Sequence, residues 1–325
     1  MSALMSYRSA AAVLKELFPV DAGGRPETLR NCALKIGEEL RNSAAIIPSA
    51  AASELAISLD STFTRSCEQG ERHLEVRVGN VETAAGARHV FAAVARTDTE
   101  IETVIRRCLK NAGRTGVTRL TAFTDGCPGL RNILAGVGVL DPPVLDWFHI
   151  AMRLQHVRQA ARGLATRDRA QIEAKTVIVD EVERFRWRLW HGKVKNARAM
   201  IDQVRTLMRA FRGDPTRRMR PAASRQFWSA LLGLDSYLTG QGAWLVNYGK
   251  RHRAGLRVGT SITEGAANHL VNRRMNKSQQ MRWSRRGADM LLQVRSAIYN
   301  GSLHPALARL RAKDAPLDAE LAMAA

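Results

Sequence analysis

Strand-type patterning is confined to residues 54–150 of this 325-residue chain, and helical patterning flanks it on both sides. That restriction leaves few architectures: one α/β layer whose helical remainder covers it or is inserted into it. Residues 73–79, HLEVRVG, alternate strictly, with Leu74, Val76 and Val78 on one side of a half-buried strand. ELAISLD (54–60) reads as a short strand ending in aspartate, and RHVFAAVA (88–95) as a third strand. A helix follows, with Thr99 and Glu102 at capping-box spacing and an apolar stripe through Ile101, Val104, Ile105, Cys108 and Leu109. RLTAFTD (119–125) is a fourth strand, again ending in aspartate. A short helix opens at Pro128, and PVLDWFHI (143–150) completes the set as a fifth strand.

Residues 6–40 read as two helices, the first ended by Pro19, its stripe Tyr7, Ala10, Ala11, Leu14 and Leu17. A helix-turn-helix can be drawn here, but no charged recognition face accompanies it, and a small helical subdomain fits better. NSAAIIPSAAAS (42–53) is a small-residue linker. From 151 to about 245 the chain reads as Arg-rich helices broken by the loop GDPTRRMRPAAS (213–224). Two closing helices are expected at about 262–276 and 285–300, with Ser261 and Ser284 as caps and Gly301 as the stop; the Ala/Pro-rich tail beyond 302 is expected to fray. The expected domains are thus a helical segment (1–50), a first core part (51–150), an all-helical insertion (151–250), C-terminal core helices (251–301) and a tail (302–325).

Charge divides at the same boundary. Residues 1–150 hold 17 basic and 17 acidic side chains and residues 151–325 hold 33 and 13, so the whole net charge of +20 lies beyond residue 150. Such an excess points to a polyanionic partner, nucleic acid above all. No run of 18 apolar residues suggests a membrane span, and Arg8, Lys15 and Glu16 interrupt the place where a signal peptide would carry its apolar stretch. The four cysteines form no C-x-x-C pair, so zinc modules and disulfide scaffolds are not supported, and reduced thiols in a cytoplasmic protein are the expectation.

The acidic residues suggest chemistry. If the strands ending in Asp60 and Asp125 are adjacent and parallel, both carboxylates emerge at one sheet edge, where open α/β folds place their sites. Like charges there repel unless a cation sits between them, and oxygen-only ligands suit Mg²⁺ or Mn²⁺. A third carboxylate should arrive on a late helix, and Glu264 in TSITEGAAN is the candidate. Each residue has a plainer reading. A strand-end aspartate commonly forms a turn, and Glu264 stands at capping-box spacing from Ser261. An aspartyl-phosphate phosphatase is excluded because Thr62 stands where its second aspartate belongs.

Several blocks resemble the ISKra-type bacterial insertion-sequence transposases. LDWFHIAMRL (145–154) is similar to the block after that family's second catalytic aspartate. Residues 247–301, above all QQMRWSRRGADMLLQVR, resemble the block around its catalytic glutamate. SLDSTFTRS, FTDG and RFRWRLWHG (184–192) fit in order and spacing, so the resemblance spans about residues 50–301. It implies an RNase H-like α/β core, a mixed five-stranded sheet interrupted by an all-α insertion, and a DDE triad of Asp60, Asp125 and Glu264 holding two Mg²⁺ (or Mn²⁺) ions. Metal-dependent cleavage of DNA, followed by 3′-hydroxyl strand transfer, is the implied activity. Asp146 and His149 match the C/D-x-x-H motif of the wider Mutator-like superfamily. As two positions of one strand they would face opposite sides, and they act together only if the strand ends between them. Double-stranded DNA (element ends and target) is the implied partner, with a homodimer or higher assembly on DNA, no membrane, and a nucleoid-associated location.

Lys250, Arg251 and Arg253 before Glu264, and Arg273, Arg274, Lys277, Arg282, Arg285 and Arg286 after it, are expected to meet phosphates, because no acidic neighbours in the sequence balance them. Trp187, Trp190, Trp228 and Trp244 could stack on bases, though helical core packing suits most of them better. Two departures from the family pattern stand out: serine replaces the glycine expected after Asp60, and the N-terminal part is shorter than in relatives. They leave two competing readings, a catalytically impaired or domesticated transposase remnant that only binds DNA, and a simple RNase H-like nuclease.

Overall fold

The computed structural model of the protein describes residues 1–18, 25–42, 50–211, 222–276, 281–305 and 307–308, with residues 198, 222, 261, 262 and 264 described by their backbone alone. It is a mixed α/β chain with one five-stranded sheet and flanking helices. Two helices open it, α1 (Tyr7–Leu17) and α2 (Pro26–Asn42), followed by an antiparallel meander of β1 (Glu54–Arg65), β2 (His73–Thr83) and β3 (Arg88–Ala93). Then come α3 (Asp98–Asn111), β4 (Arg119–Thr124), α4 (Pro128–Gly136) and β5 (Val144–Leu145), with β5 parallel to β4. The strand order is β3-β2-β1-β4-β5. The Arg119 N–H donates to the Ser53 carbonyl at 2.9 Å, so β1 and β4 start side by side and run the same way. The helices α5 (Trp147–Arg162), α6 (Arg169–Trp190), α7 (Val194–Leu207), α8 (Ala222–Gly240) and α9 (Tyr248–Arg253) follow, and α10 (Ser261–Ala267) and α11 (Arg285–Tyr299) close the fold. No helix among the described residues is long and apolar enough to cross a membrane.

The chain divides into two compact units. The first, residues 1–122, 129–141 and 261–325, is the α/β unit. One face of its sheet is Leu74, Val76 and Val78 of β2 with Val90 and Ala92 of β3, packed against Ala266, Leu270, Leu291 and Leu292 from the closing helices. Burying each large aliphatic side chain there contributes about 1.5–3 kcal/mol. Ile57 and Leu59 alternate to the opposite face and are also fully buried. The expected segment 1–50 is not separate: α1 and α2 pack together, and α2 packs on α11. The approach is close because Gly37 has no side chain; a Cβ there would lie 2.3 Å from the Met290 carbonyl oxygen. Leu17, expected in the apolar stripe, is 66% exposed.

The second unit, residues 123–128 and 142–260, is helical apart from its strand ends. It corresponds to the expected insertion but extends about ten residues beyond it on each side. Within it α5 packs on α6 and α8, and α6 on α7. Trp147 meets Trp190 edge-on and Tyr248 in a tilted contact, each with ring centroids 4.9 Å apart. The Tyr248 hydroxyl donates to the Leu145 carbonyl at 2.8 Å, and burial pushes its pKa up, so it stays a protonated donor.

Four local expectations are corrected. β1 continues five residues past Asp60, because STFTR keeps extended pairing with residues 73–77 of β2. The cap of α3 is Thr97 rather than Thr99: its side chain accepts from the Glu100 N–H at 3.3 Å, and the Glu100 carboxylate accepts from the Arg96 N–H at 3.1 Å. The expected fifth strand shrinks to two residues, because Asp146 caps α5 and starts a helix where a strand was expected. The helix expected over 262–276 is α10 followed by a π-helical stretch, Asn268–Asn276, and its widened turns offer the carbonyls of His269 and Leu270 to the Arg295 guanidinium. Ser284 caps α11 as expected, accepting from the Gly287 N–H at 3.1 Å, and Gly301 ends it at φ +68°. Residues 43–49 of the expected linker, residues 213–221 of the expected loop and the tail from 309 lie outside the described residues.

Candidate functional site

Asp60 lies in the middle of β1, opposite Val78, and is half-buried. It does not end its strand. One of its carboxylate oxygens accepts the Ser61 N–H at 2.7 Å. On the same face Ser58 stands opposite Asn80, and the fully buried Asn80 accepts a 2.6 Å hydrogen bond from the Thr263 hydroxyl. That bond fixes α10 on the sheet one residue before Glu264, a feature that sequence pattern did not reveal. Glu264 lies in α10 as expected, with its side chain outside the described residues.

Asp125 follows the last residue of β4, as expected, and is also half-buried. Its Oδ1 accepts the Cys127 N–H at 2.8 Å, which is the turn-forming role a strand-end aspartate often has. The turn has additional supports. The Tyr237 hydroxyl donates to the Asp125 carbonyl at 2.8 Å, and the Gln241 amide donates to the Gly126 carbonyl at 3.0 Å. Burial raises the Tyr237 pKa, and the Arg153 guanidinium 4.1 Å from its ring centre only partly offsets this. Gly126 sits at φ +97°, and a Cβ there would lie 2.7 Å from the Gln241 side chain. Glycine in T-D-G therefore answers both a backbone and a packing demand.

Asp146 differs from both. It is fully buried, and its Oδ1 accepts from the Phe148 N–H at 2.8 Å and the Thr260 N–H at 2.9 Å, while Oδ2 accepts from the Thr260 hydroxyl. His149 Nε2 stands 3.6 Å from Oδ2, one helical turn along α5. The two residues do meet, because the strand ends before both of them. Gly259 closes over the carboxylate: a Cβ there would be 2.8 Å from Oδ1. A carboxylate this enclosed is an anchor for residues 258–260, reinforced by the Trp147 N–H bond to the Val258 carbonyl at 3.1 Å.

No protein-family model matches this chain, and no curated protein matches it. The site therefore rests on its own geometry. Among the described residues no three His, Cys, Asp or Glu side chains are grouped to hold a metal ion, a set that leaves out the Glu264 side chain.

The described basic residues divide into four kinds. Lys250 and Arg253 on α9, Arg273 on the π-helical stretch and Arg282 before α11 are exposed. Arg251 is partly enclosed, its Nε donating to the Arg257 carbonyl at 3.0 Å. Arg285 and Arg286 are answered by acidic residues distant in sequence: Arg285 by Glu71 at 2.8 Å and Arg286 by Glu38 at 2.8 Å. This corrects the expectation of an unbalanced run. Arg274 is corrected outright. It is 0% exposed, with its guanidinium 5.3 Å from the Tyr7 ring centre and 5.1 Å from that of Trp283, so it holds the core together and does not reach a phosphate. Lys277 lies outside the described residues. Of the four tryptophans, Trp190 belongs to the aromatic cluster, whereas Trp187 is 51% exposed beside Arg186 and His191.

Proposed function

We propose that the chain is a DDE transposase that cuts DNA at the ends of an insertion sequence and joins the freed 3′-hydroxyls to target DNA. The observation that carries this reading is the strand order β3-β2-β1-β4-β5, an antiparallel meander followed by two parallel strands, with an aspartate within β1 and another directly after β4. An RNase H-like core has this order. Glu264 on a helix packed against β1 and β2, and a helical unit placed in the chain between β5 and that helix, agree with the same reading.

Asp60, Asp125 and Glu264 would hold the metal. Their donors are all carboxylate oxygens, which fits Mg²⁺ or Mn²⁺, and Asp60 and Asp125 are each steadied by a neighbouring backbone N–H. Bound there, the metal supplies activation of the attacking oxygen and stabilisation of the leaving one. The chain's own residues hold the turn after β4 through Tyr237 and Gln241, hold α10 on the sheet through Thr263 and Asn80, and offer Lys250, Arg253, Arg273 and Arg282 to phosphates. Double-stranded DNA is the partner, and a dimer would pair two ends.

The test uses pre-cut DNA ends taken from the sequence flanking the coding region, a plasmid target and Mg²⁺. Joined products are expected from the native chain and none from Asp125→Ala or Glu264→Ala, with far-UV circular dichroism and salt-sensitive DNA binding retained. Full activity in either variant overturns the assignment. Binding without cleavage in the native chain would identify a DNA-binding remnant, and cleavage without joining a simple nuclease.

A further inference from the structure

The β1–β2 hairpin carries an arginine pocket that the sequence pattern did not single out. Arg65 stands opposite His73 at the end of the ladder, and residues 66–72 form the loop, closed by the Ser66 N–H to the Arg72 carbonyl at 3.1 Å and turned at Gly70, φ +82°. The loop is fastened to the stretch before α11. Ser66 forms a parallel bridge with Trp283, whose N–H donates to the Arg65 carbonyl at 2.9 Å and whose carbonyl accepts the Cys67 N–H at 3.0 Å. Trp283 is itself buried, so these bonds bring Arg282 to the hairpin on a fixed support. The result is an open, polar pocket of about 620 Å³ whose walls include Arg65, Arg72 and Arg282.

Two glutamates also line this pocket, and the one guanidinium of Arg285 faces both, so with Arg65, Arg72 and Arg282 the four arginines outnumber the two carboxylates and the cluster keeps a positive excess. Both oxygens of Glu71 accept from Arg285, at 2.8 and 2.9 Å, and Glu68 accepts the Arg285 backbone N–H at 2.7 Å. Arg65, Arg72 and Arg282 are exposed, and their side chains form no ion pair among the described residues. Three arginines lining one open pocket repel one another and favour an anion with several acceptor oxygens; fork-shaped donors match phosphate geometry.

We propose that this pocket clamps the phosphodiester backbone of duplex DNA through Arg65, Arg72 and Arg282. The proposal rests on the reading of the chain as a DNA-acting protein, and it makes the hairpin loop part of the binding surface. Such contacts position DNA without reading its sequence.

The first test uses the native chain. Cys67 is exposed and lines the same pocket, while Cys32 is exposed on α2 and is not among the residues lining it. Alkylation by N-ethylmaleimide is followed at each cysteine by peptide mass spectrometry. Saturating duplex DNA is expected to slow labelling of Cys67 several-fold and leave Cys32 unchanged. Inorganic phosphate at low millimolar concentration is expected to protect neither; protection of Cys67 by phosphate alone would make this a small-anion site and overturn the DNA assignment. The second test is the salt dependence of binding. Replacing all three arginines by glutamine should make the slope of log K against log salt shallower by about 0.9 for every phosphate the protein no longer neutralises. A matched variant lacking Arg88, Arg106 and Arg119, which pair with Glu82, Glu102 and Glu54 in the same unit, should keep the native slope. DNA binding with Cys67 unprotected and the slope unchanged overturns the pocket and leaves the functional reading standing. Absence of DNA binding at any salt overturns both.

Discussion

The two units of this protein each bury charge, and they compensate it in opposite ways. In the helical unit the buried charges are anions, Glu181 and the fully enclosed Asp146, and Asp146 is surrounded by two backbone N–H groups and one hydroxyl within bonding distance. In the α/β unit the buried charges are mainly cations. Arg274 lies between two aromatic rings, and Arg295 spends its donors on the carbonyls of Ala3, His269 and Leu270, with burial pushing its pKa down to about 10. The Asp146 anion is fixed by donors that have no other use, so removing it orphans them. The Arg274 cation lies beside two ring faces and donates to the Ser2 carbonyl at 3.4 Å and the Met281 sulfur at 3.2 Å, a long and a soft acceptor that an apolar side chain of similar size can largely replace.

The comparison is sharpest at these two residues. Asp146→Ala should lower stability by about 3 kcal/mol, because it leaves the Thr260 hydroxyl and two N–H groups buried without an acceptor. Asp146→Asn, which keeps one acceptor oxygen, should recover about half of that. Urea unfolding followed by tryptophan fluorescence measures both. Equal losses in the two variants would mean that volume, not hydrogen bonding, is what the site requires. A smaller effect, about 1–3 kcal/mol, is expected from Gly37→Ala, since the obstructing atom is the Met290 backbone and cannot swing aside. Gly259→Ala should cost about 1–2 kcal/mol by displacing the Asp146 carboxylate, and its effect should shrink in the Asp146→Ala background. Arg274→Met should cost only about 1 kcal/mol; a loss as large as that of Asp146→Ala would end the distinction between the units.

The smallest effect concerns pH. Burial holds the His89 pKa below its ordinary value of 6.5, so between that lowered value and 6.5 the unfolded chain binds more protons than the folded one. His89 therefore makes stability rise with pH across that window, and the contribution is lost as pH falls through it. The difference in urea midpoint between native protein and His89→Asn should vary with pH only there, growing in the native protein's favour as pH rises. A constant difference from pH 5 to 8 would show that His89 titrates normally.

Strict alternation in HLEVRVG and the period-3.6 stripe of Ile101, Ile105, Cys108 and Leu109 made β2 and α3 legible, since one face of each is buried and the other is not. VLDWFHI misled because a short continuous apolar run does not distinguish a buried strand from the start of a buried helix, and the aspartate that decides it looks the same as a strand-end turn former. Asp60 appeared to end its strand because the apolar run ends there, while the ladder with β2 continues through polar residues. Arg274 and Arg285 were misjudged for a common reason. A linear basic run shows the charges but not Trp283, Tyr7 or Glu71, which reach them only through the fold. At the candidate site the positions of Asp125 and Glu264 in their elements were readable, whereas Thr263, Asn80, Tyr237 and Gln241, which hold those elements, carry no local signature.

The apolar face of Leu74, Val76 and Val78 has a consequence for synthesis. Most of its cover, from Ala266 onward, is encoded nearly 190 residues later. At translation rates of about 5–20 residues per second the meander waits roughly 10–40 seconds for that cover. During that interval its exposed strands are an aggregation hazard, so a ribosome-bound chain arrested before α10 should recruit chaperones that one arrested after α11 releases.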